Sequence, residues 1–141
     1  GPELEERCGY YGERLVLKAQ QLGLNTCWVA MTYSKIRTAF TVAPGETLCV
    51  VIALGYGQTQ GTAHTSKTVE RVSRVAGAMP AWFENGVKAA LLAPTAMNQQ
   101  KFTFARDGEK VTIQAGRGAY SKVDLGIVKY HFELGSGRKI Q

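Results

Sequence analysis

Apolar residues recur at helical spacing near the start of the chain. Leu15, Val16, Ala19 and Leu22 follow the i, i+3/i+4 rule and predict a helix over 9–22. Gly23 stands where a helix needs a positive-φ C′ residue. The stripe is expected to pack on a sheet, with Glu13, Gln20 and Gln21 on the wet side. Leu17 falls on that wet side too, which only a covering partner would explain. Residues 24–33 are apolar and β-leaning, and too short for a further helix.

Ser34 is placed to cap a short helix over 35–40, and Pro44-Gly45-Glu46 reads as a turn. The unbroken apolar run Leu48–Leu54 predicts a strand covered on both faces, ended by Gly55-Tyr56-Gly57. A polar stretch follows over 58–67. Residues 68–75 read either as a short helix or as an exposed connection. Gly77–Pro80 breaks the chain, and Pro80 opens a helix over 81–92 with Trp82, Phe83, Val87, Ala90 and Leu91 apolar. Residues 101–106 alternate as a strand, Asp107-Gly108 signals a hairpin, and Val111, Ile113 and Ala115 alternate on the return. A last helix is predicted over 121–134, with Val123, Ile127, Tyr130, His131 and Leu134 on one face and Gly135 as its stop. This order gives an α+β or a mixed α/β fold.

Composition narrows the class. The chain has 141 residues, 45% of them hydrophobic and 20% charged, with no internal repeat, as in one ordinary globular domain. No apolar run approaches the ~20 residues of a membrane span. The acidic, polar start Gly1–Arg7 lacks the apolar region of a secretory signal. Cys8, Cys27 and Cys49 are odd in number and irregularly spaced, so neither a disulfide framework nor a zinc site is expected. Reduced thiols in a cytoplasmic protein are the expectation. The net charge of +6 favours acidic ligands, but Arg71/Arg74 and Arg138-Lys139 are its densest groups. A nucleic-acid interface would concentrate its charge in a stripe.

Several segments carry candidate chemistry, each beside a plainer reading. Leu54-Gly55-Tyr56-Gly57 is either a phosphate-approach loop or a strand-ending turn, and G-x-G-x-x-G is absent. His64-Thr65-Ser66-Lys67 offers hydroxyls and an ammonium suited to phosphate, or is a solvated loop. In Ala93–Gln100, Pro94 fixes a turn, and Asn98 and Gln100 offer amides to a heterocycle or ribityl chain; the alternative is a capped, hydrogen-bonded turn. Cys27 and Trp28 are expected as a buried thiol and a core ring, and His131 as a satisfied core histidine. Asp124 and His131 accompany no nucleophile motif.

Taken in order, these pieces resemble one family. The run from Cys8 to Trp28 (Cys-Gly-Tyr-Tyr-Gly-Glu-Arg-Leu-Val-Leu-Lys-Ala-Gln-Gln-Leu-Gly-Leu-Asn-Thr-Cys-Trp) is similar to the nitroreductase superfamily in its TM nitroreductase branch. So are Ala53–Gly57, Pro80–Phe83, Ala93–Phe102 and Asp124–Phe132, which together span nearly the whole chain. The resemblance implies an α+β nitroreductase-like fold, a mixed sheet flanked by helices. It implies an FMN-dependent oxidoreductase that carries a hydride from NAD(P)H to a nitroaromatic or quinone-like acceptor by ping-pong turnover. It also implies a homodimer.

Residue by residue, the resemblance places the FMN phosphate near Thr65 and Lys67, and the isoalloxazine N5 near Val29, Ala30 and Met31. Family members often carry Gly or Glu-Gly where Ala30-Met31 stands, so side-chain bulk is added there. Pro94, Thr95 and Asn98 match the family's Pro-Ser-x-x-Asn-x-Gln turn and are expected to touch the flavin. The family's opening Arg-x-Ser-x-Arg segment has no counterpart before Cys8. The chain therefore resembles the C-terminal part of a longer member, expected to bind FMN weakly or not at all by itself and to associate with a second copy or with the N-terminal half. The alternative is a non-catalytic flavin-fold remnant serving as a binding module.

Overall fold

The computed structural model of the protein describes residues 3–31, 33 and 40–140. They form two compact units, one of residues 1–14 with 62–141 and one of residues 15–61. The helix predicted over 35–40 falls largely on residues outside those described.

Helix α1 (Leu4–Gln21) begins earlier than the apolar stripe suggested, with Glu5 and Glu6 favourably placed in its first turn. Its buried residues are Gly9 and Glu13. The expected faces hold only in part: Gln20 and Gln21 are exposed, but Glu13 is inside, while Leu15 and Leu22 are 68% and 62% exposed. Helical periodicity identifies a face but cannot say which neighbour covers it. The C-terminus behaves as predicted. Gly23 takes φ +79°, its N–H donates to Gln20 O, and Leu24 N–H donates to Ala19 O, both at 3.0 Å. These two bonds make a Schellman cap.

In the second unit β1 (Asn25–Val29) pairs antiparallel with β2 (Val51–Gly55), Asn25 opposite Gly55 and Val29 opposite Val51. The turn at Pro44-Gly45 is present, with Gly45 at φ +85° and Glu46 N–H bonded to Ala43 O at 3.0 Å. The strand expected over 48–54 is shorter and is not covered on both faces, since Leu54 is 66% exposed. Cys27 is exposed rather than buried. No described residue of this unit is buried, because two strands alone cannot enclose a core.

The first unit holds the core. Residues 68–75 form a short helix and then a strand: α2 (Val69–Val72) and β3 (Ser73–Val75). Strand β3 lies parallel to β4 (Phe102–Asp107), which pairs antiparallel with β5 (Lys110–Ala115) in the order β3-β4-β5. The hairpin loop is Gly108-Glu109, with Gly108 at φ +58°. Helices α3 (Ala81–Ala90) and α4 (Ser121–Ser136) supply the rest. Phe83, Phe104 and Phe132 are fully buried, Phe104 stacking on Phe132 at 4.6 Å between ring centres and Phe83 meeting Phe132 edge-on at 5.7 Å. Each such ring contributes roughly 3–5 kcal/mol against truncation.

Glycine sets the helix spacing. A Cβ on Gly9 would overlap the Val123 carbonyl, one on Gly126 the Glu6 carbonyl, and one on Gly86 the Phe132 ring. Gly135, predicted as the stop of the last helix, instead lies inside α4 against Ala89 and Asn85. The stop is Gly137, at φ +69° with its N–H on Glu133 O. His131 is satisfied as expected, its Nε2 lying 2.7 Å from Glu13 Oε1.

Candidate functional site

Two irregular segments of the first unit meet at a buried glutamine. Gln100 is 3% exposed. Its Oε1 accepts the Lys67 backbone N–H at 2.8 Å, and its Nε2 donates to Thr65 O at 2.8 Å and to Asn98 Oδ1 at 2.7 Å. Asn98 Nδ2 also donates to Thr65 O, at 2.9 Å. Ser66 Oγ donates to Leu91 O at 2.9 Å. The polar stretch before α2 is thus stitched to the turn between α3 and β4.

That turn is strained. Its 3-10 segment (Ala96–Asn98) has Met97 at φ 52° and Asn98 at φ 51°, and Gln100 follows at φ 45°. None is glycine, and such left-handed residues cost about 1–3 kcal/mol each unless the surroundings over-determine them. Here they do. Thr95 Oγ1 accepts the Gln100 N–H at 3.1 Å. Asp124, on the first turn of α4 and 4% exposed, accepts the Ala96 N–H at 2.9 Å and Gln99 Nε2 at 2.7 Å. Burial pushes the Asp124 carboxyl above its usual value, opposed by those two hydrogen bonds. Gln99 Nε2 also donates to Ala119 O at 2.8 Å.

The strained turn orients one cation. Lys67 Nζ donates to Gln99 O at 2.9 Å and to Gln100 O at 2.7 Å. An ammonium has three donors, so one N–H remains for an outside acceptor. On the same two segments, Thr65 is exposed, and Thr95 Oγ1, accepting from Gln100, keeps its own O–H to donate. Asn98 and Met97 are exposed at the rim, Met97 at 84%. The site therefore offers one oriented positive charge with hydroxyl and amide groups beside it, which is the donor set of a phosphate or a polyol.

Of the residues singled out from sequence, Thr65, Lys67, Pro94, Thr95 and Asn98 are brought together here. The capped, hydrogen-bonded turn is real, and it coexists with the polar rim. Val29, Ala30 and Met31 lie in the second unit: Val29 closes β1 opposite Val51, and Met31 is 81% exposed. Sequence reasoning missed Gln99 and Asp124 as organisers. The available signal was an acid between Val123 and Ile127 on an apolar face, where a carboxylate needs hydrogen-bond donors. Among the described residues, no group of three or more His, Cys, Asp and Glu side chains is placed to hold a metal ion. Nor is any described helix long and apolar enough to cross a membrane.

This α+β arrangement, small sheets flanked by helices, is that of the nitroreductases. A crystal structure of a putative nitroreductase from Thermotoga maritima superposes with a TM-score of 0.69 at 25% identity, over 93% of this chain and 54% of that one. The chain spans about half the length of that relative. The family described as "Putative TM nitroreductase" matches residues 1–136, and the chain belongs to it. No curated protein matches the chain.

Proposed function

We propose that the protein serves as an FMN-dependent oxidoreductase, passing electrons from NAD(P)H to a nitroaromatic or quinone-like acceptor. The observation that carries this reading is the Lys67 ammonium, held by two carbonyls of a strained turn with one N–H left over. A charge fixed in this way suits a phosphate better than a mobile surface lysine does, because less side-chain entropy is lost on binding.

The residues fit FMN at its polar end. Lys67 and Thr65 would hold the phosphate, and Thr95 and Asn98 would hydrogen-bond the ribityl chain or ring edge, on a path shaped by Pro94. In the second unit, the family resemblance by itself assigns Val29, Ala30 and Met31 to a flavin ring, with the Met31 backbone N–H as the group for N5. When bound, the flavin supplies the hydride and electron carriage. The chain's own part is to orient it and to exclude water from the ring. One lysine is a smaller anchor than a pair of bidentate arginines, which supports weak binding by this chain alone.

Exposed Leu15, Leu22, Met31, Leu54 and Tyr56 of the second unit support association, with a second copy of the chain or with the further length its relative carries. Light scattering tests this, and a monodisperse monomer would refute it. An exposed, unbridged Cys27 suits the reducing cytoplasm, the location we assign.

The decisive experiment is a flavin fluorescence titration of the chain. Saturable FMN binding, weakened about tenfold or more by Lys67→Met, is expected from the loss of a charge-assisted hydrogen bond. Absence of saturable binding by the wild-type chain would leave the non-catalytic binding module as the better reading.

A further inference from the structure

We infer that Asp124 is the positioning residue that aims the Lys67 ammonium at its anionic ligand. It does not touch Lys67. Its Oδ2 accepts Gln99 Nε2 and its Oδ1 accepts the Ala96 N–H, so one rigid carboxylate grips the turn at both ends. The Gln99 backbone carbonyl fixed by this grip is one of the two that receive Lys67 Nζ. The path is continuous: carboxylate, glutamine amide, glutamine carbonyl, ammonium.

Three further observations favour this path over a generic structural role. Asp124 is nearly fully buried, yet its two oxygens take their hydrogen bonds from this turn, at Ala96 and Gln99. The Gln99 side chain is confined from the far side, since a Cβ on Gly118 would overlap Gln99 Oε1. And the turn between the two gripped residues contains Met97 and Asn98 at positive φ, a conformation that relaxes once its ends are released. Asp124 braces the turn whose Gln99 and Gln100 carbonyls receive the ammonium.

The ligand in this inference rests on the flavin reading; the link from Asp124 to Lys67 does not. Two probes that differ only in a phosphate separate the two, namely FMN and riboflavin. The wild-type chain is expected to prefer FMN. In Asp124→Asn the amide presents donors where Gln99 Nε2 needs an acceptor, and the preference should fall about tenfold. Riboflavin affinity should fall less than FMN affinity, because its binding does not use the Lys67 charge. Lys67→Met should lose the same preference, and the double variant should lose no more than either single one, as for two residues acting as a unit. Gln99→Ala cuts the same link from its other side while keeping the backbone carbonyl, and serves if Asp124→Asn does not fold.

An FMN preference lost in Lys67→Met but intact in Asp124→Asn and Gln99→Ala would overturn the inference and leave the flavin reading standing. Equal affinity of the wild-type chain for both probes would instead count against the flavin reading. The inference then stands or falls on 15N NMR of the lysine side chains. A slowly exchanging Lys67 Nζ signal that vanishes in Gln99→Ala supports it, and a signal identical in both proteins overturns it.

Discussion

Nε2 of His131 on α4 lies 2.7 Å from Oε1 of Glu13 on α1, with the Glu13 side chain 1% exposed and that of His131 12%. The two atoms are within hydrogen-bond distance, one ring nitrogen facing one carboxyl oxygen. The pair joins two helices far apart in sequence. Glu13→Leu and His131→Leu should each cost about 3 kcal/mol, because each leaves a buried polar group without this partner. The double variant should cost at least ~1 kcal/mol less than the sum. Urea unfolding of the four proteins measures this, and additive losses would mean that the two side chains are not coupled.

Gly126 is where α4 touches α1 backbone to backbone. A methyl group there would overlap the Glu6 carbonyl and stand 2.6 Å from Tyr10 N. Neither is the end of a flexible side chain, so the helices must separate. Gly126→Ala should lower stability by about 3 kcal/mol. Gly61→Ala, at a position with open space around it, should be neutral or slightly stabilising. Equal melting temperatures for the two variants would contradict the close crossing.

Gln100 joins the loop before α2 to the strained turn through Lys67 N–H, Thr65 O and Asn98 Oδ1. Gln100→Leu keeps the bulk and removes all three bonds. A loss of about 2 kcal/mol is expected from the buried groups left unpaired. Amide exchange at Lys67 should accelerate by an order of magnitude or more, as roughly 1.4 kcal/mol corresponds to each tenfold. Unchanged exchange at Lys67 would show that the loop is held from elsewhere.

Alkaline pH should unfold the protein through Tyr10 and Lys139. The Tyr10 phenol is raised above its ordinary value by burial and then by its bond to Glu133, at 2.6 Å. Lys139 is raised chiefly by its hydrogen bond to Glu133 and then by that to Tyr10. The folded state thus keeps both protons at a pH where the unfolded chain releases them. The stability they contribute is complete below about pH 10 and is lost as pH rises through their raised values. Tyr10→Phe should flatten the fall in melting temperature above about pH 10, where Tyr and Lys ordinarily titrate. An unchanged pH profile would remove Tyr10 from the account.

Local chemistry was legible in the chain. Gly23 announced the end of α1 because few residues other than glycine accept positive φ. The alternation of Lys101–Arg106 with Asp107-Gly108 announced the hairpin, since strand period and turn residues are properties of a few adjacent positions. The turn at Pro94 and the ordered motifs of the family were visible for the same reason. Where two glycines competed to end α4, the local signal failed. Gly135 is needed for close approach to Asn85 and Ala89, so the stop passed to Gly137.

What the chain alone could not decide is which surface each element shows to which neighbour. Glu13 reads as a wet residue until α4 brings His131 against it. The apolar Leu48–Leu54 run reads as a covered strand, yet it makes a two-stranded ladder with Leu54 in the open. Asp124 reads as one acid in a helix, and only the fold sets it beneath a turn some 28 residues away in sequence. Propensity, period and turn geometry act over a few residues and are written in order along the chain. Burial, pairing and the aim of the Lys67 ammonium depend on contacts that the chain makes only when its distant parts close on one another.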